Sequence, residues 1–395
     1  MSNISDRQAV FVTAVRTPVA RAHKGLLKDT RPDDLGGLIL KEALARTPGL
    51  DAARIDDVLM GNAHPEGEAG YNLARIALQI AGFPESVAGA TVNRFCASGL
   101  QTMVGGAHAV ESGMCEVVFA GGSDCTSRVP MGGHTMSVNK ALYRDQPGAY
   151  HTMGQTAEAV ARTFGITRED QDAFALRSHQ KALAAQEAGR FGVQIVPVPT
   201  RVKDEAGEWQ DVTLERDEGP RADTTLERLA GLRTVFADDE AASVTAGNSS
   251  PLNDGAAMSV VMTRGEAQAL GLEPLATLVQ AAVVGVDPKM MGIGPVPAIR
   301  KLLAKVGMSV DDVDLFEINE AFASQCLYSQ RELEIPDEKF NVNGGAIALG
   351  HPLGATGARI AADLFAEMAR RDAEYGVVSM CVGGGQGMAA LFRKG

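Results

Sequence analysis

The chain has 395 residues, is 45% hydrophobic and 22% charged, and carries a formal net charge of −12. Its length suggests two or three domains, and its composition is globular, with no apolar run of about 18 residues that could span a bilayer. Lysine and arginine form no long run, which argues against nucleic-acid binding, a contact built on clustered cations at phosphates. Five cysteines without regular spacing argue against a disulfide framework and for a reducing compartment. The opening MSNISDRQAV lacks an apolar signal core, and the ending Leu391-Phe-Arg-Lys-Gly395 is not a Ser-Lys-Leu address. A cytoplasmic location is the expectation.

In chain order, Val10 to Ala14 reads as a strand, Leu35 to Ala45 as an amphipathic helix and Val58 to Met60 as a second strand. The run Thr91-Val-Asn-Arg-Phe-Cys-Ala-Ser-Gly-Leu-Gln101 then carries a short β-branched stretch into Cys96, and an Ala/Gly/Val-rich helix over Val104 to Val110 follows. A thiol at such a strand-to-helix corner faces unpaired N–H groups and the positive end of the helix dipole. That setting lowers a cysteine pKa and makes a nucleophile. A buried structural cysteine fits the same stretch equally well. Residues 124–249 depart from this pattern, with a Gly/Met/His-rich run over Met131 to Met136, a helix from Arg168 to Ala188 and a charged hairpin near Lys203 to Gly207. Asp254 to Val261 returns to strand. Ala276 to Val286 reads as strand, Val296 to Val306 as helix and Val313 to Ile318 as strand.

Two later stretches decide between the readings of Cys96. In Asn341 to Gly357, His351 stands in a glycine-rich turn before another helix, and in Ser379 to Gly387, Cys381 ends an apolar run and enters a glycine loop. A cysteine nucleophile needs a base, usually a histidine near in the fold and distant in sequence. Glycine loops leave backbone N–H groups free for a developing oxyanion. The chain also echoes itself. Val92-Asn93, Cys96, Ala97-Ser98-Gly99, a helix and Val117 to Phe119 are followed later by Val342-Asn343, His351, Ala355-Thr356-Gly357, a helix and Val377 to Ser379. This order suggests a duplicated α/β unit with Val342-Asn343 as a strand. Dinucleotide, Walker, His-Glu-x-x-His and nucleophile-elbow patterns are absent, and nothing in the spacing of Cys96, His351 and Cys381 suggests a metal site.

The stretches around Cys96, His351 and Cys381, together with Asn319-Glu-Ala-Phe-Ala323, resemble the signature motifs of the thiolase family. Further matches run from Arg16-Thr17-Pro18 and Lys28-Asp29-Thr30 to Thr245 to Ser250 and Met291 to Pro295. The resemblance implies a layered α-β-α-β-α fold of two duplicated halves, residues 1–123 with 250–274 and residues 275–395. Residues 124–249 would be an inserted loop domain that covers coenzyme A. It implies thiolysis of 3-ketoacyl-CoA to acetyl-CoA and a shortened acyl-CoA, reversible as a condensation, with coenzyme A as substrate and no cofactor. By the same resemblance Cys96 takes the acyl group, His351 activates it and Cys381 moves the proton at the acetyl α-carbon. The Cys96 and Gly383 N–H groups form one oxyanion hole; His351 and a water held by Asn319 form the other. Arg221, Ser250, Met153 and Phe322 match positions that contact CoA. Thiolase-like halves also imply a sheet edge near Val117 to Phe119, which is normally covered, so a homodimer or homotetramer is expected.

Two features bear on the substrate. Acetoacetyl-CoA-type biosynthetic thiolases usually carry histidine directly before the Met-Gly pair, where this chain has Thr152. Val283 to Val286 and Phe316 to Gln325 look closer to degradative enzymes, which favours longer acyl chains and β-oxidation over the biosynthetic alternative. A ketoacyl synthase would place histidine where Cys381 stands, and a non-catalytic lipid-binding relative would have no need to keep both thiols with His351 and Asn319. Cys115, Cys125 and Cys326 read as packed thiols, Glu320 as an organiser of its own loop, and His23, His64, His108, His134, His151 and His179 have no motif support.

Overall fold

Strong β-formers in the first and last quarters of the chain alternate with Ala- and Leu-rich helical runs, and the computed structural model, which describes residues 7–204 and 206–395, folds them into one mixed sheet system. The strands are β1 (Ala9–Arg16), β2 (Ala20–Arg21), β3 (Asp57–Gly61), β4 (Ala88–Val92), β5 (Val117–Cys125), β6 (Val198–Lys203), β7 (Trp209–Leu214), β8 (Asn253–Thr263), β9 (Ala276–Gly285), β10 (Leu315–Ile318), β11 (Tyr375–Val382) and β12 (Gln386–Lys394). The main sheet runs β10-β11-β12-β9-β1-β8-β5-β3-β4, with β2 beside β8, and β6 and β7 form a separate hairpin. The hairpin expected near Lys203 is this pair; residues 1–6 of the opening MSNISDRQAV and Glu205 lie outside the described residues.

The order of strands carries an internal symmetry. In the first half β3 lies parallel to β5, β5 antiparallel to β8, and β8 antiparallel to β1. In the second half β10 lies parallel to β11, β11 antiparallel to β12, and β12 antiparallel to β9. The equivalent strands β1 and β9 join the halves by a short antiparallel contact, Val10 with Thr277 and Phe11 with Ala276. The Val342-Asn343 strand of the sequence echo is instead a turn. Only Phe340 pairs, in parallel with Phe316 of β10, so the second copy reduces β4 to a single bridge. The open edge also differs from expectation. β5 lies between β3 and β8, and the edge strand is β4.

Alternation along the strands builds the layers. On β5, Val117 and Phe119 pack outward against Leu35, Ile39 and Leu78, while Val118 and Ala120 point inward. The inward cluster holds the helices Ser98–Glu111 and Thr356–Arg371 together with residues of both half-sheets, among them Phe11, Val261, Met380 and Phe392. A third cluster covers the far side of the second half, where Ile299 and Leu302 meet Phe316, Val377 and Leu391. The fold is therefore α/β in five layers. The two central helices cross where small residues let backbones meet: a Cβ on Gly99 would stand 2.9 Å from the Gly354 carbonyl oxygen, and one on Gly357 would collide with the Leu100 amide. Each of these helices starts beside a reactive residue, so this crossing brings the two halves' chemistry to one place.

The segment between β5 and β8 is clipped to both halves by a buried charge cluster. Arg16 of β1, 1% exposed, makes a bidentate pair with Asp217 at 2.8 and 3.0 Å and reaches Asp363 of the second central helix at 3.3 Å. Such planar, two-pronged geometry suits arginine and would be lost with lysine. No helix among the described residues is long and apolar enough to cross a membrane.

Candidate active site

Cys96 lies in a one-turn helix, Phe95–Ala97, just ahead of the helix Ser98–Glu111. The turn is forced by its neighbours: Phe95 takes a left-handed φ of 43°, its amide donating to Asn93 Oδ1 at 2.8 Å and its carbonyl accepting from Ser98 Oγ at 2.6 Å. A bulky residue held at positive φ is a strained backbone position of the kind found at functional sites. Cys96 is 6% exposed and packs with Ala63 and Leu353, the latter two residues beyond His351. Burial pushes its thiol up to about 11, against the N–H groups of Gly383 and of Cys96 itself, which reach the sulfur and hold it down. The sequence implied a lowered pKa at this corner. Burial outweighs the two N–H groups.

Cys381, at the end of β11, is fully buried in a cluster with Met291, Ala321 and Phe322, with Met153 against it. Burial, and then proximity to Cys96, push its thiol well above the ordinary range. The two thiols thus share one pocket, and a charge on Cys96 disfavours ionisation of Cys381. Gly383 faces the same space: a Cβ there would meet the Phe95 ring at 3.5 Å and Met153 Sδ at 3.6 Å.

His351 follows Gly350, whose φ of 103° turns the chain tightly past Val19 and Asn253. The His351 amide donates to Asn253 Oδ1 at 2.8 Å, which ties this second-half loop to β8 of the first. Its Nδ1 lies 2.7 Å from Thr356 Oγ1, and the Thr356 hydroxyl donates to the Pro352 carbonyl at 2.9 Å. The hydroxyl proton being spent there, Nδ1 must be the N–H donor and Nε2 the basic nitrogen. Asn319 Nδ2 lies 3.3 Å from that Nε2, while Asn319 Oδ1 is buried without a partner. Burial, then the Arg359 guanidinium, push His351 down to about 3, so the ring is neutral.

The loop that carries Asn319 is braced by Asn341. Its side chain accepts from Ile318 N at 2.9 Å and donates to the Ile318 carbonyl at 2.9 Å and to Glu320 Oε1 at 3.0 Å. Glu320 also accepts from Ser178 Oγ at 2.6 Å and Ile347 N at 3.2 Å, so it organises its loop, as its sequence context suggested. Cys326 Sγ is occupied by backbone carbonyls, and Cys115 and Cys125 are buried away from the Cys96 cluster.

The four residues matched to CoA contacts are not gathered in one place. Arg221 lines a cleft of ≈ 400 Å³ with His179, Thr224, Arg228 and Ser249. Met153 and Phe322 stand beside Cys381. Ser250 is absent from the cleft wall, to which its neighbours Ser249 and Pro251 contribute; its amide donates to the Ala321 carbonyl at 3.0 Å. Thr152, ahead of the Met153-Gly154 pair, has a local role. It is the N-cap of helix Met153–Thr163 in a reciprocal capping box with Gln155.

Three contributors were missed in the sequence. Thr356 sits inside a quoted motif, but only the fold shows that it orients His351. Asp124 lies near the end of β5; its Oδ2 accepts from Ala63 N and Gly354 N, both at 2.9 Å, and so ties the two loops that flank Cys96. His179 lies on the wall of the cleft.

Known proteins resemble this chain over nearly its whole length. Residues 9–265 match the family model described as thiolase, N-terminal domain, and residues 272–394 that of the thiolase, C-terminal domain. The 3-ketoacyl-CoA thiolase of Bacillus subtilis (strain 168) is 49% identical over 391 residues, 98% of this chain and 99% of that protein. The 3-ketoacyl-CoA thiolase of Escherichia coli O139:H28 is 44% identical over 393 residues, again 98% of this chain and 99% of the relative. Among solved structures, the Bacillus anthracis acetyl-CoA acetyltransferase superposes with a TM-score of 0.89 at 43% identity, covering 99% of this chain and 100% of that one.

Proposed function

Since this chain belongs to the thiolase family, we propose that it is an acetyl-CoA C-acyltransferase that cleaves 3-ketoacyl-CoA with coenzyme A and runs in reverse as a Claisen condensation. The observation that carries the reading is the packing of two thiols about one amide: Gly383 N–H reaches Cys96, and Cys381 lies beside it. In this mechanism His351 Nε2 takes the Cys96 proton as the sulfur attacks the 3-keto carbon, and the developing oxyanion settles on the Cys96 and Gly383 N–H groups. The C2–C3 bond then breaks. Its electron pair leaves on the acetyl-CoA enolate, whose oxygen meets the His351–Asn319 pair, and Cys381 S–H protonates C2. The thiol of a second CoA gives its proton to the Cys381 thiolate as its sulfur attacks the acyl-Cys96 thioester; the C–S bond to Cys96 breaks, Cys96 takes its proton back from His351, and shortened acyl-CoA leaves. Coenzyme A acts as substrate, and no step calls for a further cofactor.

The names of the Bacillus subtilis and Escherichia coli relatives, 3-ketoacyl-CoA thiolase, support a substrate range beyond acetoacetyl-CoA; a degradative role in fatty-acid β-oxidation, in the cytoplasm, is part of the same proposal. The Bacillus anthracis neighbour, an acetyl-CoA acetyltransferase, supports a second reading restricted to acetoacetyl-CoA. Loss of the magnesium-enolate absorbance of 3-ketoacyl-CoAs upon addition of CoA tests both. Cleavage of eight-carbon and longer substrates at rates comparable with acetoacetyl-CoA supports the first; cleavage of acetoacetyl-CoA alone supports the second. No cleavage of either overturns the proposal.

A further inference from the structure

The two N–H groups that face the Cys96 sulfur come from different halves of the fold. One belongs to Cys96, in the one-turn helix Phe95–Ala97, and the other to Gly383, in the loop between β11 and β12. That loop is fixed within its own half: Val382 pairs with Gln386 across its base, and the Gly385 carbonyl accepts from Val286 N at 2.8 Å. Its tip is loosely held, with Gly384 and Gly385 at φ of 79° and 82° and nothing among the described residues within 4 Å of a Cβ placed on Gly384. An oxyanion hole whose donors ride on separate segments works only if something fixes the spacing between them.

Arg94 is placed as that strut. Two residues ahead of Cys96, it donates from its amide to Ser98 Oγ at 2.9 Å and from Nε to Gln101 Oε1 at 2.8 Å, which anchors it to the first turn of the helix Ser98–Glu111. From Nη1 it donates to Gln386 Oε1 at 3.0 Å, 292 residues away in sequence and at the foot of the Gly383 loop. Among the described residues this is the one side-chain hydrogen bond that joins residues 93–98 to residues 382–387. A planar guanidinium held at two of its nitrogens fixes distance and orientation together, which a lysine ammonium on its flexible stem does not. The His351–Asn319 pair is held by other means: Thr356 and Asn253 position His351, Asn341 braces the Asn319 loop, and none of these contacts runs through Arg94. Resting on the thiolase reading, we propose that Arg94 is a positioning residue for acyl transfer, which with Gln386 sets the spacing of the Cys96 and Gly383 N–H groups and leaves the enolate step untouched.

Loss of either partner should slow one half-reaction and spare the other. In Arg94→Met and in Gln386→Met, rapid-quench mass spectrometry of the full chain should show acyl uptake on Cys96 from acyl-CoA slowed by about 10- to 100-fold, the range for an oxyanion donor displaced rather than removed. Exchange of the acetyl-CoA methyl hydrogens with deuterated solvent, measured once Cys96 has been acetylated to equilibrium, should stay within about 3-fold of wild type. The double variant should acylate within about 2-fold of the slower single one, because both substitutions break the same contact. Arg94→Lys keeps the charge without the fork and should be as slow as Arg94→Met. Gln386→Met reads the contact from its other side if Arg94→Met does not fold. Wild-type acylation in the single variants, losses that multiply in the double one, recovery with lysine, or an equal fall in acylation and exchange overturns the inference. A wild-type protein that takes up acyl groups on Cys96 and cleaves no 3-ketoacyl-CoA would instead sink the thiolysis reading alone, since neither rate requires the C–C bond to break.

Discussion

Thr356 offers the most direct test of how the base is built. Its Oγ1 lies 2.7 Å from His351 Nδ1 and spends its own proton on the Pro352 carbonyl at 2.9 Å. Thr356→Val keeps the shape and removes both contacts. The Nδ1–H is then a buried donor without a partner, a penalty of about 1–3 kcal/mol. The ring escapes that penalty by turning or by moving its proton to Nε2, and either course takes the basic nitrogen away from Cys96. At about 1.4 kcal/mol per tenfold, the expected loss in kcat is on the order of 10- to 100-fold. Thr356→Ser keeps the hydroxyl and should recover to within about 3-fold, which a mere packing defect would not do. Steady-state thiolysis with thermal unfolding run in parallel makes the comparison. A valine variant that melts earlier but turns over at the wild-type rate would refute the assignment of His351 Nε2 as the base.

Cys96→Ala should abolish both turnover and the acyl adduct seen by intact-protein mass spectrometry after incubation with acyl-CoA; an adduct that persists would move the nucleophile elsewhere. Cys381→Ala should still take up the acyl group on Cys96 yet lose about 10²- to 10⁴-fold in exchange of the acetyl-CoA methyl hydrogens with deuterated solvent, the usual worth of a placed acid or base. Asp254, held by Ser127 N and Oγ at 2.9 and 2.5 Å, is nonetheless pushed by burial up to about 6 from 3.8. Its folded pKa lies above its unfolded one, so the folded state holds the proton longer, and stability falls as pH rises from about 4 to 6, by up to about 3 kcal/mol. Asp254→Asn should remove that share of the slope in urea midpoints measured across this range; an unchanged slope would count against it.

The sequence made the strands, the central helices and the reactive corners legible because each has a local cause. β8 and β11 are apolar runs, and both central helices are rich in small residues that follow a reactive position. The misreadings arose where a distant partner decides. Val342-Asn343 resembles Val92-Asn93 in sequence, yet Asn341 turns its side chain onto Ile318 and Glu320 and bends the backbone there to a φ of 40°. A low pKa for Cys96 followed from its helix-start position, but the closing lid of Ala63 and Leu353 belongs to two other segments. His179 had no motif around it, because its partner Arg221 is 42 residues away.

The two perturbed groups of the site fit together when their protons are followed. Burial raises the Cys96 thiol to about 11 and lowers His351 to about 3, so the free site is a neutral thiol and a neutral imidazole. A preformed thiolate–imidazolium pair would need both shifts reversed. The proton therefore leaves sulfur as sulfur attacks carbon, at the moment when negative charge passes to an oxygen that the Cys96 and Gly383 N–H groups can stabilise. Burial also keeps Cys381 protonated while Cys96 works, because two adjoining sulfurs cannot both ionise. Once Cys96 is acylated it can no longer ionise, so its share of the restraint on Cys381 is gone, while burial, the larger share, still holds the Cys381 proton. Cys381 therefore meets the enolate carbon as an S–H acid, and the two thiols act in sequence because of where the fold buries them.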